Sequence, residues 1–395
     1  MRPEFLSFSP PLIGEEEIEE VVKALRSGWI TTGPRVDRFQ SEFREFVGAE
    51  SALALNSCTG AMHIALAVLG IGPGDRVVST PMTFASTVHV IEQVGAQPVL
   101  VDVEPDTLNI DPERIEAAVR ADPKIKAIMP VHIYGHPCEM DAIIGIARRH
   151  QLAVIEDAAH ALPASYRGRM IGAPAGSDVT NLVAFSFYAN KNLATGEGGM
   201  LTGPRELIDE ARKWSLHGMS RDAHQRYTEE GSWFYEVQLP GFKYNMPDIQ
   251  AAIGIHQLAK LPMMQRRRHE IVAQYDEGLT GLPGLELPVV RPHVESAAHI
   301  YPIRLNLERL TINRSRFIAE LRERNIGSSV HFIPIHIHPY YRDKYGFSPE
   351  QFPVAFGAYQ RLVSLPLSPK FTDSDVADVI EAVTDILEKN SRSGS

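Results

Sequence analysis

Between about residue 50 and residue 205 the chain alternates short apolar runs with amphipathic stretches. ALAL (52–55) precedes AMHIALAVL, RVVSTP precedes STVHVIEQV, and PVLVDV, AIMPVHIYG, LAVIEDAA and LVAFSF follow at intervals. Runs that stay apolar at successive positions predict strands buried on both faces. The stretches between them predict helices, so the rhythm is that of a mostly parallel α/β sheet. Gly70 stands just past its helix, and PGD (73–75) and GAQP (95–98) mark turns. Upstream, GEEEIEEVVKALRSG predicts an acidic-first amphipathic helix over 14–27, with Gly28 past its end. Downstream, Pro247 opens a long helix at DIQAAIGIHQLAKL (248–261). Beyond about 296 the pattern reads HIYPIRL (strand), SRFIAELRERN (helix), SSVHFIPIH (strand) and DSDVADVIEAVTDIL (helix). The expected organisation is therefore a large domain over 1–255, carrying the helix at 14–27, and a smaller C-terminal α/β domain over 256–395.

Composition narrows the class. Lys+Arg 39 against Asp+Glu 49 leaves a net charge of −10, with no basic run to hold a phosphate backbone, so nucleic acid is not an expected partner. Two cysteines, Cys58 and Cys138, fit a reducing compartment better than a disulfide framework. The start, MRPEFLSFSPPLIGEEEIEE, lacks a basic segment followed by an apolar one, and no stretch has the length of a membrane span. A cytoplasmic protein without membrane contact is the expectation, with EKNSRSGS as a polar tail.

In an open parallel sheet, ligands sit outside the carboxyl ends of the strands. Four such places carry suggestive residues. After ALAL comes NSCTG (56–60), where Thr59 can cap the next helix and the amides of Gly60 and Ala61 can take a phosphate. TPMTF (80–84) puts Phe84 on the same rim, either to stack on a flat ring or to fill core. After LAVI come Glu156 and Asp157, which either cap the next turn or meet a protonated ring nitrogen, with His160 three residues on. Last, SFYANKNLATGEGGM (186–200) sets Ser186 and Lys191 before a cluster of glycines. A loop lysine is ordinarily solvated. Together, however, these are the parts that hold pyridoxal phosphate: amides for its phosphate, a stack for its ring, Asp157 for its pyridinium nitrogen and Lys191 for a Schiff base.

SFYANKNLATGEGGM, IEDAAHALPASYRGRMIG, GWITTGPRV, NSCTGAMHIALAVLGIGPGD, GFKYNMPDIQAAIGIHQL and VHFIPIHIHPYY resemble, in order, the blocks of the DegT/StrS-type sugar aminotransferases, from about residue 8 to 388. The resemblance implies the fold-type I aminotransferase architecture. It implies catalytic roles for Lys191 and Asp157, and cofactor contacts from His160, Ser186, Thr59, Gly60 and Phe84. Asn245 matches an asparagine that in the family reaches the phosphate of the neighbouring subunit's cofactor, which implies a homodimer with shared active sites. His331 and His336 match positions lining the sugar pocket, and Thr31 lies in a segment that approaches it. His338 stands where many members have Gln. A metal site on His336 and His338, which would share one face of an extended segment, finds no third ligand of suitable spacing.

The implied reaction is a transamination in which an amino acid, glutamate, gives its amine to the cofactor. The amine then passes to a nucleotide-linked keto sugar, a 4-keto sugar, with UDP-linked substrates closest in look, giving an amino sugar for cell-surface polysaccharide or secondary-metabolite synthesis. Relatives that dehydrate the sugar replace the lysine with histidine, and here the lysine is present. An aminotransferase acting on a cyclitol or other keto substrate is the nearest alternative, and a nonenzymatic regulator that binds the cofactor is another. A nicotinamide dehydrogenase lacks its G-x-G-x-x-G after the first strand.

Overall fold

The apolar runs become a seven-stranded sheet, described in a computed structural model that covers residues 2–176, 178–220 and 234–392. Its strands are β1 (Ser51–Leu55), β2 (Arg76–Ser79), β3 (Gln97–Leu100), β4 (Ile125–Ile128), β5 (Ala153–Asp157), β8 (Asn181–Ser186) and β9 (Gly199–Gly203); β6 (Ser165–Tyr166) and β7 (Arg169–Met170) form a hairpin outside it. The order is β1-β9-β8-β5-β4-β2-β3. All strands but β9 run parallel. GGMLTG, which begins in the glycine cluster after Lys191, supplies that antiparallel strand and pairs Leu53 with Leu201 and Phe185 with Met200.

Successive strand residues feed opposite layers, as the period of two requires. Val78, Val154, Val183 and Phe185 pack with Phe39 and Phe43 on one face, where α2 (Pro34–Val47), α5 (Pro112–Ala121) and α6 (Met140–His150) lie. Val77, Ile155, Leu182 and Ala184 pack on the other with α3 (Cys58–Val68), α4 (Ala85–Gln93) and α7 (Arg205–Ser215). Ahead of these, α1 (Glu15–Ser27) ends at Gly28, whose φ of 74° is the left-handed conformation of a helix stop.

The expected long helix is α8 (Asp248–Leu279). Its Ala251–Met264 side chains belong to the first core, whereas Ile271, Tyr275 and Leu279 belong to a second. That second core joins Leu6 to a sheet of β10 (Leu285–Glu286), β12 (Tyr301–Leu305) and β13 (Leu362–Leu365), covered by α9 (Arg314–Glu323) and α12 (Asp373–Lys389). A short strand β11 (Val294–Glu295) extends the β6–β7 hairpin, and α10 (Pro339–Tyr345) and α11 (Pro353–Arg361) precede β13.

One expected strand is absent. SSVHFIPIH (328–336) makes a single bridge, Ser329 to Ser364, and then turns through a 3-10 segment, Ile335–Ile337. Pro334 and Pro339 bracket this segment and cannot donate to a ladder, and β13 pairs with β12 in its place. His336 and His338 therefore do not share a strand face. Among the described residues, no helix is long and apolar enough to cross a membrane. Of the HGMSRDAHQRY segment, residues 221–227 lie outside the described residues.

Candidate active site

The carboxyl ends of β1, β2, β5 and β8 meet at a cavity of about 520 Å³, closed on its far side by His299, His331 and Phe332 from the C-terminal part of the chain. Thr59, Phe84, Asp157, His160, Ser186, Lys191 and His331 all line it. Gly60, Asn245, Thr31 and His336 do not.

The helix start differs from the expected one by two residues. Ser57, with extended backbone (φ −167°, ψ 159°), is the N-cap of α3, and its Oγ accepts the Gly60 amide at 3.0 Å. Thr59 lies inside the first turn. The Ala61 amide bonds to the Ser57 carbonyl, so the amides of Cys58 and Thr59 are left without an acceptor among the described residues. A phosphate at this helix end would meet those two donors and the positive end of the dipole. Gly199 permits the close packing behind them: a Cβ there would sit 2.4 Å from the Ser57 carbonyl carbon and 2.5 Å from the Cys58 nitrogen.

Alternation along β5 separates its two acids. Glu156 turns away from the cavity to His132 (2.7 Å) and Asn181 (2.8 Å). Asp157 turns in, is 4 % exposed, and accepts from the Thr87 hydroxyl at 2.7 Å and the Ala159 amide at 3.1 Å. Burial raises its pKa, against the pull of those bonds and of Lys191. The Thr87 hydroxyl also touches Thr83 Oγ1 at 2.7 Å, a partner for Asp157 that no local signal in α4 reveals.

Lys191 sits in a loop fastened at its neck, where the Phe187 amide bonds to Gly198 O (2.9 Å) and the Thr195 amide to Phe187 O (2.8 Å). Burial brings its amine down to about 8, with Asp157 pulling the other way. A substantial share of this amine is therefore neutral at mildly alkaline pH. Beside it the Asn190 Oδ1 is buried with no protein partner, an orphaned acceptor in the cavity wall.

Burial keeps the cavity histidines His160, His299 and His331 neutral. His160 Nδ1 accepts the Tyr134 amide at 3.2 Å, which puts its proton on Nε2, and its ring stacks on Phe332 with centroids 5.6 Å apart. Burial holds His160 and His299 well below the usual imidazole range and pushes His331 and His336 down to about 4. His336 is fully buried against Phe352, with both ring nitrogens unpartnered, outside the cavity. Asn245 donates to Thr32 Oγ1 at 2.6 Å, so it is Thr32 that Asn245 meets, while the Thr31 carbonyl accepts the Asp248 amide. Phe84 is 63 % exposed at the cavity mouth, its ring 6.0 Å from that of Phe332.

These imidazoles give a pH dependence with a definite sign. The unfolded chain takes up protons near pH 6.5 that the folded chain refuses until about 4, so stability falls as pH drops through that window. The cofactor-free protein should melt at a lower temperature at pH 5 than at pH 7, and His336→Leu should shrink the difference. Equal melting temperatures at the two pH values would refute this.

The group that such a cavity admits can be read from its walls. Two unclaimed amides at a helix start suit a phosphate, a buried carboxylate suits a protonated ring nitrogen, and a desolvated lysine suits a carbonyl carbon. Sheet and cavity together define a pyridoxal-phosphate-dependent aminotransferase of the fold-type I architecture. The family model of the DegT/DnrJ/EryC1/StrS aminotransferases matches residues 11–384, and the chain belongs to that family. It is 51% identical over 389 residues to the spore coat polysaccharide biosynthesis protein SpsC of Bacillus subtilis, covering 98% of each chain. Among solved structures it is similar to the PMP-form of Spr1654 from Streptococcus pneumoniae, with a TM-score of 0.89, 34% identity, and coverage of 97% of this chain and 99% of that one. It is also similar to Helicobacter pylori PseC, an aminotransferase involved in pseudoaminic acid biosynthesis, with a TM-score of 0.88, 26% identity and coverage of 98% and 100%.

Proposed function

We propose that this aminotransferase moves the amino group of glutamate to a nucleotide-linked 4-keto sugar, giving an amino sugar for cell-surface polysaccharide synthesis. The observation that carries the reading is the buried Lys191 amine, brought down to about 8, in one cavity with Asp157. The SpsC and PseC likenesses support the sugar and polysaccharide setting.

Pyridoxal phosphate, when bound, supplies an electron sink that makes the α-proton of an attached amino acid acidic. Asp157 would hold the ring nitrogen in its protonated form. Ser186 and the Cys58 and Thr59 amides would take the phosphate, and His160 has its Nε2–H free to donate to the phenolic oxygen. Phe84 would cover the ring from the cavity mouth. The Lys191 amine would anchor the cofactor between turnovers and, once freed, carry a proton from the donor's α-carbon and later return one to the sugar's carbon. His331 would contact the sugar.

Asn245 stands outside its own chain's cavity, beside Thr32. The family resemblance would put it against the cofactor phosphate of a second copy, and its position supports that reading, in a homodimer whose chains each divide into the two domains expected above. Mixing protein, pyridoxal phosphate and glutamate should yield pyridoxamine phosphate and 2-oxoglutarate, and adding a UDP-4-keto sugar should restore the starting spectrum with formation of an amino sugar. Amination of a cyclitol in preference to every nucleotide sugar would overturn the substrate assignment.

Gly199 offers a separate check on the phosphate site. Gly199→Ala forces its new carbon into the backbone of the α3 start. The expected cost is about 1–3 kcal/mol of stability, together with weaker retention of pyridoxal phosphate on dialysis. Unchanged retention would remove the α3 start from the phosphate site.

A further inference from the structure

The residue after Lys191 is buried and does not itself line the cavity. Asn192 is 6 % exposed, and its Nδ2 donates to Ala297 O at 2.7 Å while its Oδ1 faces His299 Nδ1 at 2.9 Å. A carbonyl can only accept, so Ala297 fixes which end of the amide is nitrogen. The Oδ1 end must then receive a hydrogen, which puts the proton of the neutral His299 ring on Nδ1. His299 is itself held, 4 % exposed, with its backbone amide bonded to Tyr134 O at 3.1 Å. The segment 297–299 leads directly into β12 of the second core.

We propose that Asn192 and His299 form a positioning clamp that ties the loop carrying Lys191 to the segment entering β12, and so fixes where the Lys191 amine stands in the cavity. The loop's own bonds run through Phe187, Thr195 and Gly198, and its longer contacts outside are Ser9 Oγ to Asn190 O at 3.4 Å, Asn192 Nδ2 to Gln265 Oε1 at 3.5 Å and the Ala194 amide to Gln257 Oε1 at 3.4 Å. Asn192 and the buried side chain beyond it thus give the lysine a reference outside its own loop. His299 acts through Asn192, so its role is positioning. A 1 Å misplacement of a reacting group can cost about 100-fold in rate, so a tether one residue away matters to the chemistry.

The inference rests on Lys191 being the reactive amine, as proposed above, and its test reads the cofactor-free chain so that the two can fail separately. The titration of the Lys191 amine, followed by pH-dependent labelling with an amine-reactive reagent and peptide mass analysis, reports its surroundings. The titratable groups acting on it are Asp157 and Cys58, and its own charge in turn holds His160, His299 and His331 lower. Loosening the loop admits water and returns the amine toward its solution value.

His299→Leu and Asn192→Leu should each raise the titration midpoint by about one unit, a tenfold change in the neutral fraction at a given pH. His299→Asn places an amide N–H where Nδ1–H stood, and it should keep the wild-type midpoint. In the loaded enzyme the leucine variants should lower kcat about 10- to 100-fold with little change in KM for the amino donor. If a leucine variant does not fold, His299→Gln carries the comparison, because it keeps an amide but withdraws it from the Nδ1 position. Equal midpoints for the Asn variant and the Leu or Gln variant would overturn the clamp, whether all shift or none do.

Discussion

Lys191→Ala yields a folded chain that neither develops the visible absorbance of lysine-bound pyridoxal phosphate nor turns over. The fold should tolerate the change, since burial works against the charge of this amine and Asp157 retains its bonds from Thr87 and Ala159 without it. The chemistry should not. Proton transfer by a positioned side chain contributes about 100- to 10,000-fold by itself, and the variant also loses its covalent hold on the cofactor. Lys191→Arg separates charge from reactivity, because guanidinium keeps the cation but cannot give up its proton. It should be as inactive as the alanine variant. Absorbance spectra of each variant with pyridoxal phosphate, and product formation from glutamate, provide the measurements. Either variant retaining both signals would remove Lys191 from the mechanism.

The parts of this site that were legible in the sequence are those that strand ends collect. An apolar run buried on both faces announces itself, and the residue after it falls at the sheet's carboxyl edge, which is how Asp157, Ser186 and Phe84 reach one cavity. What depends on one residue's backbone angles was displaced slightly. Ser57 and Thr59 are both acceptable caps, and only the extended dihedrals of Ser57 decide between them. Alternation misled at VHFIPIH, where apolar spacing imitates a strand that Pro334 within it prevents. Conversely, the glycine cluster after Lys191 gave no sign of the strand it opens, yet Gly199 is what lets β9 run against the start of α3. Thr87, Asn192 and His299 were out of reach altogether. Each acquires its partner only when elements 70 to 107 residues apart in sequence come together.

The buried carboxylate leads to an expectation of opposite signs for stability and activity. Asp157→Asn conserves size, and the surrounding donors leave only one way to seat it. Its Oδ1 must accept the Ala159 amide, so its Nδ2 points to Thr87 Oγ1, whose hydroxyl can then turn to the Phe84 carbonyl 3.1 Å away. The Ala159 amide, the Thr87 hydroxyl and one amide N–H of the new side chain all keep partners in that exchange. In the cofactor-free chain burial raises the carboxyl pKa, so above its unfolded value ionised Asp157 favours the unfolded state. Removing the charge should therefore raise the melting temperature of the cofactor-free protein at pH 7, and the advantage should shrink as acid protonates the wild-type carboxyl. The loaded enzyme should respond the other way. In the role proposed for it, Asp157 would keep the ring nitrogen of bound pyridoxal phosphate protonated, and removing its negative charge should cost about 100- to 1,000-fold in kcat. Paired thermal scans at pH 7 and pH 4.5, with single-turnover rates from glutamate, would measure both effects. A variant within fivefold of wild-type kcat would show that Asp157 contributes packing and no catalysis, and an unstable variant would mean that Thr87 cannot reverse its bond.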